Sequence, residues 1–269
     1  MISVIIPLYN KEAYIEKTIK YVLAQTFRHF EIVVVNDGSI DRSAEIVRRI
    51  DDPRVRIIDK ANGGVSSARN RGVSEARYDY VAFLDADDEW LPNHLEVIYS
   101  LITKYGDRAA VFVTNFARRY NDGRVIPNRS DDKQTVGLIR NYFREVLDNV
   151  LIHTSCVCVR KEAFLKVGEF NELISRGEDI DLWMRLAKKY NIAYSPVVTE
   201  FYLQDAANNS KRRFDISKSY IFHMSFLNVT DSSEYKFKRK LLYKKYAALL
   251  VKDNDWKGFI KLFKKLGLK

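Results

Sequence analysis

Cysteine is nearly absent from this chain of 269 residues: only Cys156 and Cys158 occur, two positions apart. Two thiols so close cannot build a disulfide framework or a four-ligand zinc site, and on a strand they would share one face. Histidine is scarce as well. His29, His94, His153 and His223 lie without metal-ligand spacing, which favours packed or surface roles. No stretch approaches the roughly 18 to 20 apolar residues that span a bilayer, and Met1–Tyr9 lacks a basic leader and is interrupted at Pro7. Neither a signal peptide nor a transmembrane helix is expected, and a reducing, cytoplasmic setting fits best.

What remains has a globular balance, with 46% hydrophobic and 30% charged residues, which excludes disorder and low-complexity sequence as the main theme. The length suits one large α/β domain, or a domain of about 220 residues with an appendage. Lys and Arg number 45 against 35 Asp and Glu, for a formal charge of +10. Such a balance allows an anionic partner without choosing among nucleic acid, phosphorylated ligand and acidic lipid.

Short Val- and Ile-rich runs alternate with amphipathic stretches: Ile2–Leu8, Lys11–Gln25, Glu31–Asn36, Asp41–Ile50, Val55–Asp59, Ser66–Ala76 and Tyr80–Leu84. The strands are apolar on both faces, which predicts a doubly wound parallel sheet over residues 1–90. Beyond Leu91 the pattern becomes mixed. Helices are predicted at Pro92–Tyr105, Lys161–Lys166 and Asp179–Tyr190, and strands at Val111–Tyr120, from Arg124 after an Asn121-Asp122-Gly123 turn, at Ser155–Val159 and at Ala193–Tyr202. Residues 231–269 differ in kind, with twelve Lys and Arg against four Asp and Glu. They read as two basic amphipathic helices, Glu234–Lys252 and Trp256–Leu266, appended to a main domain of residues 1–230.

In open α/β sheets, ligands bind where loops and helix N-termini converge at the carboxyl ends of strands. Here those ends carry Pro7-Leu8-Tyr9-Asn10, Asn36-Asp37-Gly38-Ser39, Asp59-Lys60-Ala61-Asn62-Gly63-Gly64 and Asp85-Ala86-Asp87-Asp88. Each alone reads as a turn or a cap. The last is harder to explain as structure, because three carboxylates within four residues repel one another unless solvated or neutralised by a cation. Hard oxygen ligands of this kind suit Mg²⁺ or Mn²⁺ beside the phosphates of a ligand.

Taken in order, Ile5–Asn10, Val35–Ser39 with Asp41, Gly64–Gly72 and Phe83–Asp88 resemble the signatures of family 2 glycosyltransferases with the GT-A fold. The likeness resumes at Val167–Glu172 and at Gly177-Glu178-Asp179-Ile180-Asp181-Leu182-Trp183. It implies a Rossmann-like mixed sheet flanked by helices, with residues 1–90 as the nucleotide-binding half and 91–230 as the acceptor-side half.

By that resemblance Tyr9 would stack on a nucleotide base and Asp37 would accept its ring N–H, favouring uracil or thymine. Pro7, Asn10 and Ser39 belong to the same donor-binding set, Arg69 would face the ribose or pyrophosphate, and Asp85 would hold the ribose. Asp87 would bind the metal, Mn²⁺ or Mg²⁺, which stabilises the departing diphosphate as a Lewis acid. Asp179 would be the general base, with Glu178 and Trp183 on the acceptor side, and a single base opposite the leaving group implies inversion. The implied partners are a nucleotide-sugar, with a UDP-sugar favoured, and a growing surface polysaccharide or lipid-linked glycan.

Two other readings explain less. A metal-dependent sugar nucleotidyltransferase usually carries a glycine-rich phosphate loop with a lysine, which Pro7-Leu8-Tyr9-Asn10 does not offer. A nucleic-acid-binding protein accounts only for the basic tail, so no nucleic acid partner is expected. The tail is expected either to pack on the main domain or to meet an anionic membrane peripherally, at the inner face of the cell membrane.

Overall fold

The computed structural model describes residues 1–128, 135–147, 149–204, 215–225, 229, 231–249 and 255–265. Its first part alternates β1 (Ile2–Leu8), α1 (Ile15–Leu23), β2 (Phe30–Asp37), α2 (Ser43–Arg48), β3 (Val55–Lys60), α3 (Val65–Glu75) and β4 (Tyr80–Phe83). Next come β5 (Glu89–Trp90), α4 (His94–Tyr105), β6 (Val111–Arg119), β7 (Val125–Pro127), β8 (Gly137–Leu138) and α5 (Tyr142–Glu145). The chain continues with β9 (Val157–Arg160), α6 (Lys161–Val167), α7 (Glu178–Lys189), β10 (Ile192–Leu203), α8 (Tyr220–His223), α9 (Ser232–Ala247) and α10 (Trp256–Lys265).

All ten strands form one sheet in the order β3-β2-β1-β4-β9-β6-β10-β5, with β7 paired to β6 and β8 to β10. The strands from β3 to β4 are parallel, as the two-sided apolar runs require. Beyond β4 the sheet is mixed, because β9 runs antiparallel to both β4 and β6, and β5 antiparallel to β10. Alternation along each strand feeds two separate cores. Val4, Ile6, Ile32 and Val34 face α1 and α4, while Ile5, Val33, Val35 and Phe83 face α3, α6 and α7.

Gly72 shows how tightly α3 is seated. A Cβ built there would run into Ile5 Cγ2 and lie 3.3 Å from Val35 Cγ2. Gly72→Ala should therefore lower stability by about 1 to 3 kcal/mol through overpacking, the reverse of the usual helix-propensity gain; a denaturant melt reads the sign directly.

One expectation is corrected. A 3₁₀ turn at Thr154–Cys156 breaks the expected strand, so Cys156 and Cys158 enter opposite cores rather than sharing a face. The two-residue strands β5 and β8 were too short to show a period. The first tail helix packs on the main domain, one of the two expected outcomes, since Phe237 and Leu242 join the core. Asp231 caps α9, accepting the Ser233 N–H at 2.5 Å, and accepts a hydrogen bond from Asn141 Nδ2 at 3.0 Å, which pins the helix start to α5. The predicted helix ends at Lys252 and Leu266, and the boundary at residue 230, lie outside the described residues. Among the described residues no helix is long and apolar enough to cross a membrane.

Candidate active site

The carboxyl ends of β1, β2 and β4 enclose a cleft of about 410 Å³ lined by Pro7, Tyr9, Lys11, Asp37, Asn62, Gly64, Asp85 and Asp87, among others. Tyr9 stands half exposed at its edge, as a stacking platform requires. Asp37 is buried and forms the hub of the loop after β3. Its Oδ1 accepts from Lys60 Nζ at 2.6 Å and the Gly63 N–H at 2.9 Å, and its Oδ2 accepts the Gly64 N–H at 2.8 Å. A carboxylate has about four acceptor positions, so roughly one remains for a donor in the cleft.

Asn10 and Ser39 hold this cleft together without lining it. The Asn10 N–H donates to Ser39 Oγ at 3.1 Å, and Asn10 Oδ1 accepts the Ile40 N–H at 2.9 Å. This cross-brace fixes the loop after β1 against the loop after β2, with Asn10 in the left-handed region at φ 51°.

The crowded carboxylates after β4 reach three different protein partners. Asp85 Oδ1 accepts from Arg69 Nη2 at 2.7 Å, Asp87 Oδ2 lies 2.5 Å from Lys11 Nζ, and Asp88 Oδ2 accepts from Ser155 Oγ at 2.6 Å. Ser155 also accepts the Asp85 N–H at 3.0 Å and, through its carbonyl, the Trp90 indole N–H at 2.6 Å. Trp90 is accordingly a packed residue, stacked on His94 with ring centroids 4.0 Å apart.

Arg69, expected to face the ribose or pyrophosphate, lies buried between Asp85 at the cleft and the start of α7. Its guanidinium is 3% exposed and reaches Asp85 on one side and Glu178 Oε1, at 3.0 Å, on the other. Burial alone would raise the Asp85 carboxyl, but Arg69 outweighs it and holds the group below the usual range. Glu178 ends on the raised side, because burial and the adjacent Asp179 charge exceed the Arg69 attraction. Sequence reasoning placed Arg69 and Glu178 in different halves, and the fold joins them.

Across this bridge lies a larger cavity of about 600 Å³, walled by β6, α5, α7 and α9 and lined by Asp179, Trp183, His153, Tyr202, Phe116 and Phe237 among others. Glycine at φ 79° starts α7, and the first turn then presents Glu178, Asp179 and Asp181. Asp181 is engaged by Arg185, at 3.0 and 2.7 Å. Asp179 has no ion-pair partner among the described residues; its Oδ1 accepts the Ile180 N–H at 2.8 Å. Trp183 is buried and contributes to the cavity floor.

Behind the cavity, His153 Nδ1 meets Glu200 Oε1 at 2.7 Å and lies 3.9 Å from Asp88. Burial opposes a charged imidazole, but the Glu200 charge and hydrogen bond prevail and raise its pKa to about 10. In Asp88, burial and the Glu200 charge push the carboxyl well up. These three side chains are of metal-binding type and lie within 4.8 Å of one another. Glu200 Oε1 meets His153, while its Oε2 is buried with no hydrogen-bond partner among the described residues. Neither it nor Lys11 and Lys60 was found from sequence; the charge imbalance after β4 was the one available signal for Lys11.

A cleft at the strand ends, joined through the Asp85–Arg69–Glu178 ion pairs to the region of a second cavity that holds Asp179, sits in an α/β fold of the GT-A type. In agreement, the structure of S. aureus TarS residues 1–349 in complex with UDP-GlcNAc superposes with a TM-score of 0.78 at 21% identity, covering 97% of this chain and 79% of that one. The pattern described as "Glycosyl transferase family 2" matches residues 3–168, and the chain belongs to that family. It is 29% identical over 201 residues to an uncharacterized glycosyltransferase of Rickettsia typhi, and 28% identical over 293 residues to the chondroitin synthase of Pasteurella multocida. These alignments cover 72% and 98% of this chain, which spans 61% of the first relative's length and 29% of the second's.

Proposed function

We propose that the chain transfers a sugar from a nucleoside-diphosphate sugar, with UDP favoured, to a hydroxyl of a polysaccharide or lipid-linked glycan, inverting the anomeric carbon. The observation that carries this reading is the Asp85–Arg69–Glu178 bridge, which ties the donor-type cleft to the cavity of Asp179. Supporting it are the relatives' names, chondroitin synthase and a TarS complexed with UDP-GlcNAc. Residues 1–230 serve as the transferase domain, donor half first, and 231–269 as a helical segment walling the acceptor side.

In this reading Pro7 and Tyr9 flank the base, Asp37 accepts its ring N–H, and Asp85 receives the ribose while Arg69 fixes its orientation. Asp179 takes the acceptor proton, and Trp183 shapes the sugar pocket. Asp87 fits a divalent ion: it is a hard oxygen donor on the cleft wall, about one-fifth exposed and, among the described residues, ion-paired with the Lys11 ammonium alone. An ion there, Mn²⁺ or Mg²⁺, would supply Lewis-acid stabilisation to the diphosphate leaving group. Peripheral contact with an anionic membrane is supported by α10, which leaves Trp256, Ile260 and Phe263 exposed among its lysines.

UDP binding measured by calorimetry tests the donor side. Affinity should rise when Mn²⁺ is added and fall with chelator, and Asp87→Ala should abolish the metal effect while its melting temperature stays near wild type. Unchanged wild-type affinity in chelator would remove Asp87 as a metal ligand. Tighter competition by GDP than by UDP or dTDP would overturn the assignment of Asp37 to a pyrimidine ring N–H.

A further inference from the structure

We infer that the 600 Å³ cavity beside Asp179 binds an acceptor carrying an oxyanion, a carboxylate or a phosphodiester, rather than a neutral sugar. The inference rests on the glycosyl-transfer reading and adds the acceptor's chemical class. Among the described residues Asp179 is the one carboxylate lining this cavity, against Arg118, Lys240 and Lys244. His153 adds no net charge, since Glu200 matches it from behind at 2.7 Å.

Arg118 is the strongest point. It comes from β6, lies half buried over the Phe116 ring, and its side chain donates to the neutral Asn128 Oδ1 at 3.3 Å. No carboxylate pairs with it among the described residues. A guanidinium held on an aromatic face with its fork open suits a planar or tetrahedral oxyanion better than a hydroxyl. Lys244 projects exposed from α9 at the rim, one turn beyond Lys240, whose ammonium donates to the Leu147 carbonyl. Arg118 from β6 and Lys244 from α9 thus converge on a cavity that already holds Asp179, whereas a neutral acceptor would leave these two charges unmatched.

Two sources share this chemistry, a uronate-bearing glycan and a phosphodiester-linked one, and the test separates them. Three probes are needed: an oligosaccharide with one uronate, its carboxyl-reduced counterpart, and a phosphodiester-linked sugar oligomer. Binding of each is followed by saturation-transfer NMR, and donor hydrolysis by released UDP in parallel. At least one anionic probe should bind tenfold or more tightly than the reduced sugar, with the advantage shrinking as salt rises. Arg118→Gln and Lys244→Gln should each move that ratio toward one while circular dichroism reports an intact fold; the preferred anionic probe names the source. Equal binding of the reduced sugar, or a ratio that neither substitution changes, would overturn the assignment. Selective anion binding with no donor hydrolysis under any metal condition would instead sink the transfer reading and leave the cavity's charge preference standing.

Discussion

Replacing Arg69 with Met should cost about 3 to 5 kcal/mol of folding stability, the range seen when one partner of a buried charge pair is removed. Arg69 is nearly inaccessible to solvent and is shared by Asp85 at 2.7 Å and Glu178 at 3.0 Å. Without it Glu178, largely buried, and Asp85, one-third exposed at the cleft, face each other unpaired, and Glu178 already lies on the raised side because of burial and Asp179. Both would have to take up protons or draw in water, and either response loosens β4 from the start of α7. In a chain of this size the loss corresponds to a melting temperature lower by roughly 10 °C. Arg69→Lys restores the charge without the fork, so it should fall between the two. Urea melts of Arg69→Met, Asp85→Asn and the double variant measure the coupling, which should be well over 1 kcal/mol. If Arg69→Met melts like wild type, the bridge does not join the two halves and the proposed function loses its main support.

The first ninety residues were legible because a parallel strand buried on both faces leaves a run such as Ile32-Val33-Val34-Val35, and no helix pattern competes with it. Residues at strand ends could be assigned to one rim for the same reason. What they touch there could not be read. Whether Asp85 meets a ribose or Arg69 depends on how α3 lies over β1 and β4, a tertiary fact set by contacts such as Gly72 against Ile5. The Lys60–Asp37 and Lys11–Asp87 pairs were invisible because lysines at loop starts are common and their partners sit 23 and 76 positions away in the chain. The tail stayed open for another reason: its many lysines fit a face packed on the main domain as well as a membrane-facing one. Yet α9 buries Phe237 and Leu242 between them and walls the acceptor cavity. Composition reports the charged face of such a helix more loudly than the few apolar residues that dock it.

Asp179→Asn should lower sugar transfer to a true acceptor by 10² to 10⁴-fold, about 3 to 5 kcal/mol of barrier, while donor affinity changes little. Elimination within the first turn of α7 points to this residue. Glu178 is committed to Arg69 and Asp181 to Arg185, which leaves Asp179 as the carboxylate of that turn with no ion-pair partner among the described residues. It lines the 600 Å³ cavity and not the cleft at the strand ends, so under the proposed function its loss should register in the acceptor's chemistry and leave UDP binding intact. Asparagine keeps the shape and the helix-start hydrogen bond to the Ile180 N–H but cannot take a proton. Asp181→Asn serves as the control: it should cost some stability through Arg185 but far less transfer. The rate must be measured with an acceptor hydroxyl present, since hydrolysis of the donor by water would mask the loss. Near wild-type transfer by Asp179→Asn would return the residue to a helix cap, and loss of UDP binding would make it a donor ligand; either result would leave the proposed inverting mechanism without its base.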